Sequence, residues 1–448
     1  MIVTTPNTPL YDALVTYTNR DPARFHMPGH KGKVLTPALN NAADLDVTEL
    51  TRTGDLYAGD DVIARAEALW AQACDMAHCQ FLTGGSTQGL HAALLLRARR
   101  HRGILVDRCS HRSVYNALGL FDLEPTYLFR AQDRPVDPQA VAKALDRAGG
   151  SIKTVCITSP TYYGVLSDLK AIGQVCHERE ACLVVDAAHG CHLPFLMDNA
   201  FLGADLVVTS AHKTLPVYGQ GALLFSAGKK PFETQHTADD LRWAASVCGT
   251  SSPSYPVMAS LDWGRAWMEE VGCEAFAVTR KFIAACEMTF NVLDPDDVWM
   301  DPARLTLIPA EGYTGYEAKE RLESMGVFCE MADQDHVVFI LTGADSPADY
   351  RRLWQALHRA ECFDGHRKAP PMVLPPAPEV VLSPATALRT WGARRSLAQS
   401  EGWICLEQVA PYPPGVPVIA PGELVTKKCL AYLGEVGYNV NRKISVCM

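Results

Sequence analysis

The pattern of apolar and polar positions changes character along the chain. Up to about residue 45, apolar residues are scattered among Pro, Asn and Thr without a period, which predicts an extended, irregular N-terminal arm. From Asp61 the spacing turns helical. Val62, Ile63, Ala66, Leu69, Trp70 and Ala73 recur at three- and four-residue intervals, the stripe of a half-buried helix. Short apolar runs then alternate with helical segments. Strands are predicted at 80–83, 104–107, 126–129, 155–158, 183–186, 206–209 and 222–225, with helices such as 90–100 and 138–148 between them. This alternation predicts an α/β fold on a mixed, mostly parallel sheet covered by helices on both faces. A long helical stretch at 256–271 leaves that domain. The remainder mixes helix and strand and carries Pro-rich loops at 368–378 and 411–421. The expected division is an arm at 1–45, a large domain at 46–271 and a smaller α+β C-terminal domain at 272–448. Ligands of open parallel sheets bind beyond the carboxyl ends of the strands, so polar residues there become the candidates for chemistry.

Composition narrows the class. With 448 residues, 48% hydrophobic and 20% charged, the chain suits a soluble globular protein of more than one domain. A net charge of -9 points away from nucleic acid and anionic membrane as partners. No apolar run reaches membrane-spanning length, and Met1 to Asn19 lacks a basic end followed by an apolar core. A cytoplasmic protein without a signal peptide is expected. The 15 cysteines are scattered and form no Cys-x-x-Cys pair, which predicts reduced, packed thiols and no metal site.

Ser210-Ala211-His212-Lys213-Thr214 follows the apolar run Leu206-Val207-Val208. A lysine delivered by a buried strand, with Ser and His just before it, suits a Schiff base with pyridoxal phosphate. The amine attacks only when neutral, so a desolvated setting favours it. Ser210 and His212 can then hold the phosphate. Thr83-Gly84-Gly85-Ser86-Thr87-Gln88-Gly89 follows a strand and opens a helix, where free N–H groups and the dipole attract an anion and the hydroxyls of Ser86 and Thr87 add donors. His111, in the loop after the strand at Ile104, can stack on a flat heteroaromatic ring. Asp186 ends another strand, and a carboxylate at that depth needs a cationic partner such as a pyridinium N–H. Ala188 can pack under the ring and His189 can reach its hydroxyl. The loop Thr158-Ser159-Pro160-Thr161-Tyr162-Tyr163-Gly164 can form one wall of the site. Each element alone has an ordinary structural explanation. Their order (phosphate loop, stacking His, ring-nitrogen Asp, lysine) is that of the aspartate-aminotransferase-like enzymes.

The chain resembles the bacterial Orn/Lys/Arg decarboxylases of PLP fold type I, in a short form without the N-terminal wing domain. The likeness rests on several blocks. They are Phe25-His26-Met27-Pro28-Gly29-His30-Lys31-Gly32, Asp46-Val47-Thr48-Glu49-Leu50 with Gly54-Asp55-Leu56-Tyr57, the lysine motif, Ser251-Ser252-Pro253-Ser254-Tyr255-Pro256, and Pro411-Tyr412-Pro413-Pro414-Gly415-Val416-Pro417 through Pro421-Gly422-Glu423. The resemblance implies that Lys213 bonds pyridoxal 5'-phosphate, with Ser86, Thr87, Ser210 and His212 on its phosphate. It also implies His111 on the ring, Asp186 at its nitrogen, and α-decarboxylation of lysine, ornithine or arginine to a diamine or agmatine. A homodimer or dimer of dimers with shared sites is implied, with Ser251 and Ser252 reaching the neighbouring subunit's phosphate. Asp55, Asp60 and Glu423 are the candidates for reading the substrate's distal charge. His111 and Lys213 are the candidates for returning a proton to Cα. Other readings stay open: transamination or aldol cleavage, with Arg304 a possible carboxylate binder, or a non-catalytic cofactor-binding homologue.

Overall fold

The computed structural model describes residues 22–448 except 27, 32, 52, 60, 61, 229–235, 294–298, 366–371, 373 and 412–414. Asp60, and parts of the quoted motifs at 27, 32 and 412–414, therefore lie outside the described residues.

Seven strands form the main sheet: β2 (His78–Leu82), β3 (Gly103–Asp107), β4 (Glu124–Leu128), β5 (Ile152–Thr158), β6 (Cys182–Ala187), β7 (Leu206–Thr209) and β8 (Ala222–Ser226), in the order β2-β8-β7-β6-β5-β3-β4. Only β8 runs against its neighbours, so the sheet is mixed and mostly parallel as expected. All seven coincide with predicted strands to within a few residues. The two-residue period explains how both faces are buried. Leu105, Val155, Ile157, Leu183, Val185, Val207 and Leu223 enter one hydrophobic cluster. Ile104, Val106, Cys156, Val184, Leu206, Val208 and Leu224 enter another on the opposite face. Helix Val62–Ala73 covers the first cluster and helix Gly85–Ala98 the second.

The smaller α+β C-terminal part is built around two cores. Strands β9 (Arg304–Leu307), β10 (Val327–Cys329), β11 (Met331–Ala332) and β12 (Val337–Ile340) pack with helices Gly315–Ser324 and Pro347–Arg359 around one core. Strands β13 (Ala393–Ser396), β14 (Ile404–Cys405) and β15 (Lys443–Cys447) surround another with helix Lys427–Glu435. The helix at the expected 271/272 boundary does not stop there. Tyr255–Trp267 continues through a π-turn at Met268–Gly272 into Cys273–Glu287, so one rod serves both regions.

Part of the arm is a strand that its sequence does not suggest. Its residues Ala23–Phe25 form β1, parallel to β10, with Ala23 and Phe25 fully buried in the C-terminal core. Burial against a distant strand, not a local period, makes this short segment a strand. All 15 cysteines are unpaired, and no described helix is long and apolar enough to cross a membrane.

Candidate active site

The polar residues singled out from the sequence gather beyond the carboxyl ends of the parallel strands. A cavity of about 80 Å³ is lined there by Ser86, His111, Asp186, Ala188, His189 and Lys213. Thr158, Thr161 and Tyr162 supply the wall anticipated for their loop.

Lys213 sits in the short helix Ala211–Thr214 that follows β7. The N-terminal signature holds this helix from outside. The Gly29 amide donates to the His212 carbonyl (2.7 Å), and a Cβ on Gly29 would meet Thr214 and Leu215 backbone atoms at 2.6–2.7 Å. Only glycine lets the arm cross so closely. Burial lowers the Lys213 pKa, Arg304 lowers it further, and Asp186 and Glu330 oppose the shift. Its Nζ lies 3.0 Å from His189 Nε2.

Asp186 is buried at the end of β6. Its carboxylate accepts the Ala188 amide (3.2 Å), and no described basic side chain hydrogen-bonds it. Burial pushes its pKa up to about 6, against the pull of Lys213. His111 caps the helix Arg112–Leu120, its Nδ1 accepting the Ser113 amide (3.3 Å) and lying 2.8 Å from the Ser113 hydroxyl. The neutral ring therefore carries its proton on Nε2. Burial, with Lys213 and Arg112, lowers the His111 pKa to about 4. His212 donates Nδ1–H to the Gly221 carbonyl (3.0 Å), and burial takes it to about 4 as well. Cys109 lines the cavity too, but burial beside Asp107 pushes its thiol up to about 12, which leaves it inert near neutral pH.

The residues present fit pyridoxal phosphate. A buried carboxylate lacks a cation to hydrogen-bond it, and the fully buried Ser210 hydroxyl has no partner. The helix beginning at Gly85, whose φ is +73° with open space around it, presents its amino end where a phosphate needs donors.

Not every expected residue reaches the cavity. Thr87 is exposed one position past Ser86, and Ser251 and Ser252 are exposed ahead of helix Tyr255–Trp267. Asp55 is exposed and accepts its own turn's Tyr57 amide (2.8 Å). Glu423 is 2% exposed and bound on both oxygens by Arg108 (2.7 and 2.9 Å), with the Ala420 amide on Oε2. It joins the end of β3 to the C-terminal region and lines neither cavity. Arg304 does not line the cavity itself but lies behind His189, its Nη2 3.0 Å from His189 Nδ1.

Further carboxylates beside the site came from a segment that sequence reasoning passed over. A larger cavity of about 300 Å³ shares Gln132 and Val416 with the first and is lined by Asp333, Asp335, Glu435, Tyr163, Tyr316 and Tyr432 among others. Asp333 accepts the Tyr163 hydroxyl (2.6 Å), and Glu330 accepts that of Tyr162. The acidic run from Glu330 to Asp335 between β10 and β12 was the available signal.

A mostly parallel sheet bearing a buried lysine, a buried strand-end carboxylate and a phosphate-ready helix end defines a pyridoxal-phosphate enzyme of fold type I. Comparison gives the particular family. The profile of the Orn/Lys/Arg decarboxylase major domain matches residues 8–279, and that of the C-terminal domain matches 371–442. The chain belongs to the Orn/Lys/Arg decarboxylase family, and so to the pyridoxal-phosphate-dependent amino acid decarboxylases. The uncharacterized protein YaaO of Bacillus subtilis is 32% identical over 96% of this chain and 94% of its own length. An arginine decarboxylase of Halalkalibacterium halodurans is 28% identical over 96% and 93%. In fold, the chain is similar to the Francisella novicida lysine decarboxylase, with a TM-score of 0.72 at 16% identity, covering all of this chain and 79% of that one.

Proposed function

We propose that this protein removes the α-carboxylate of a basic amino acid, with arginine the first substrate to assay, giving agmatine; lysine or ornithine would give a diamine. The observation that carries the basic-substrate reading is the acid-lined cavity contiguous with the lysine site. Asp333 stays ionised there although burial opposes it, because His336 and Tyr163 hydrogen-bond it. A fixed anion in a half-buried wall favours an ammonium or guanidinium over a neutral tail of similar size. The curated relatives named arginine decarboxylase set the order of assay.

Pyridoxal phosphate supplies the electron sink for the bond that breaks. In this reading Lys213 bonds the cofactor, and Asp186 keeps the ring nitrogen protonated. His111 and Ala188 hold the two ring faces, and His189 meets the ring hydroxyl. Ser86, Ser210 and His212 hold the phosphate. His111, once protonated, or Lys213 returns a proton to Cα. The working unit is a cytoplasmic homodimer, or a dimer of dimers, in which exposed Ser251 and Ser252 reach the partner's phosphate. Fifteen unpaired cysteines suit a reducing compartment.

The test measures carbon dioxide release from each amino acid and maps the lysine that borohydride fixes to the cofactor. Release fastest from arginine, lysine or ornithine is expected, with the label on Lys213. Faster release from an acidic or aromatic amino acid would sink the substrate reading. A label elsewhere would sink the site assignment.

A further inference from the structure

Behind Lys213 and His189 runs a chain of buried polar groups, Arg304, Asp301 and His192, that the reading above does not use. Lys213 Nζ meets His189 Nε2 at 3.0 Å, and His189 Nδ1 meets Arg304 Nη2 at 3.0 Å. Arg304 Nη2 lies 3.7 Å from Asp301 Oδ2, while Asp301 Oδ1 accepts from His192 Nε2 (2.7 Å) and from the Ala303 amide (2.9 Å). The Arg304, Asp301 and His192 side chains are all 0% exposed.

The proton bookkeeping along this chain has one solution. A guanidinium only donates, so Arg304 must donate to His189 Nδ1. Burial, together with Lys213 and Arg304, keeps the His189 ring neutral, so its single proton sits on Nε2. That N–H points at the Lys213 nitrogen. A donor at this distance needs a lone pair opposite, and an ammonium has none. Lys213 is therefore matched to its surroundings only as the free amine.

Arg304 is an expensive way to fill this space. Its Nε and Nη1 are buried and find no partner. Unsatisfied buried donors are disfavoured, and an apolar side chain of similar volume would leave none. What such a side chain could not do is donate to Nδ1. Asp301, held ionised by His192 and Arg304 against its burial, sets a negative charge 3.7 Å from the guanidinium.

We propose that Arg304, anchored by Asp301 and His192, is a positioning residue that fixes His189 as a donor toward Lys213 and so holds the lysine ready to capture pyridoxal phosphate. This rests on the reading of Lys213 as the cofactor lysine. In the capture step the Lys213 lone pair attacks the aldehyde carbon. The nitrogen loses two protons and the carbonyl oxygen leaves with them as water, so no oxidant or reductant is required. The charged and titratable groups facing Lys213 are Asp186 from β6, Glu330 from the turn after β10, Arg304 from β9, and His111, His189 and His212 from the strand-end loops. Among them, Arg304 is the fixed cation that opposes protonation of the lysine.

The experiment follows the rate at which the full-length chain, stripped of cofactor, takes up pyridoxal phosphate as pH is varied. In Arg304→Met the midpoint of the rate profile should rise by about one pH unit, slowing capture near neutrality about tenfold. Arg304→Lys, which can still only donate, should restore most of the wild-type midpoint. Asp301→Asn should move the midpoint in the same direction as Arg304→Met, and it carries the test if Arg304→Met does not fold. Circular dichroism establishes folding. If the folded variants slow capture equally at every pH with the midpoint unmoved, Arg304 merely supports the fold and the proposal is overturned. Borohydride mapping of the wild type separates the two questions. A label on another lysine would overturn the cofactor-lysine reading itself, whatever the profiles of the variants.

Discussion

Glu423→Gln distinguishes a clamp from a substrate contact. The wild-type carboxylate receives two N–H groups of Arg108 at 2.7 and 2.9 Å, with the two side chains 1% and 2% exposed. Glutamine keeps one oxygen for the Ala420 amide but turns an NH₂ toward a guanidinium that can only donate. Removing one partner of such a pair costs about 3–5 kcal/mol, because the other charge is left buried. The guanidinium also faces the rings of Tyr127 (4.9 Å) and Tyr115 (5.5 Å). Those ring contacts are the same in both proteins and leave the difference unchanged. A loss of about 3–5 kcal/mol is a large share of the roughly 5–15 kcal/mol that stabilises a native protein. Urea unfolding of the full chain should show it as a lower midpoint, while the preference for arginine over a neutral isostere stays as in wild type. Replacing both partners with methionine should recover most of the loss, since a packed apolar pair is often as stable as a buried ionic one. An unchanged urea midpoint together with lost preference for arginine would refute the clamp and return Glu423 to the substrate.

Asp186→Asn should stabilise the cofactor-free protein above neutral pH. The folded pKa of about 6 lies above the ordinary 3.8, so the associated stability is present below pH 3.8 and is lost as pH rises through 6. Asparagine removes that loss, on the order of 3 kcal/mol, while slowing turnover of the loaded enzyme. Melting curves from pH 4 to 8 check this, and an unchanged pH slope in the variant would count against it. Asp333→Asn should raise KM for arginine by about tenfold and change a neutral analogue's little; equal changes for both would assign Asp333 to structure alone. Mixing Lys213→Ala subunits with subunits carrying Ser252→Trp should recover about a quarter of wild-type activity if sites are shared between copies. Mixtures no better than either parent would place the whole site in one chain.

The sheet was legible because its strands are short apolar runs whose buried positions alternate between two cores, and because their polar ends carry the chemistry. Asp186, His111, Ser86 and Lys213 could be found this way, since each follows a recognisable strand. Glu423 could not be read correctly. Nothing local marks Arg108 as its partner, and a carboxylate in a family-like motif looks equally suited to clamp or contact. The same holds for Arg304, whose partner His189 is far away in sequence. Asp333 went unnoticed because acidic residues between small-domain strands look like a solvated turn until the fold brings them against Tyr163. The strand β1 has too few residues to show any period.

That strand has a consequence for the time order of synthesis. Phe25 pairs with Cys329, and nearby Lys31 donates to the Ile340 carbonyl (2.8 Å) across 309 residues of chain. The main sheet needs nothing beyond Ser226 to have all its strands. The arm is made well before the strands that seat it. At typical elongation rates it waits roughly 15–60 s. During that interval Ala23, Phe25 and the pairing edge of β1 are uncovered, a stretch that a chaperone would have to shield.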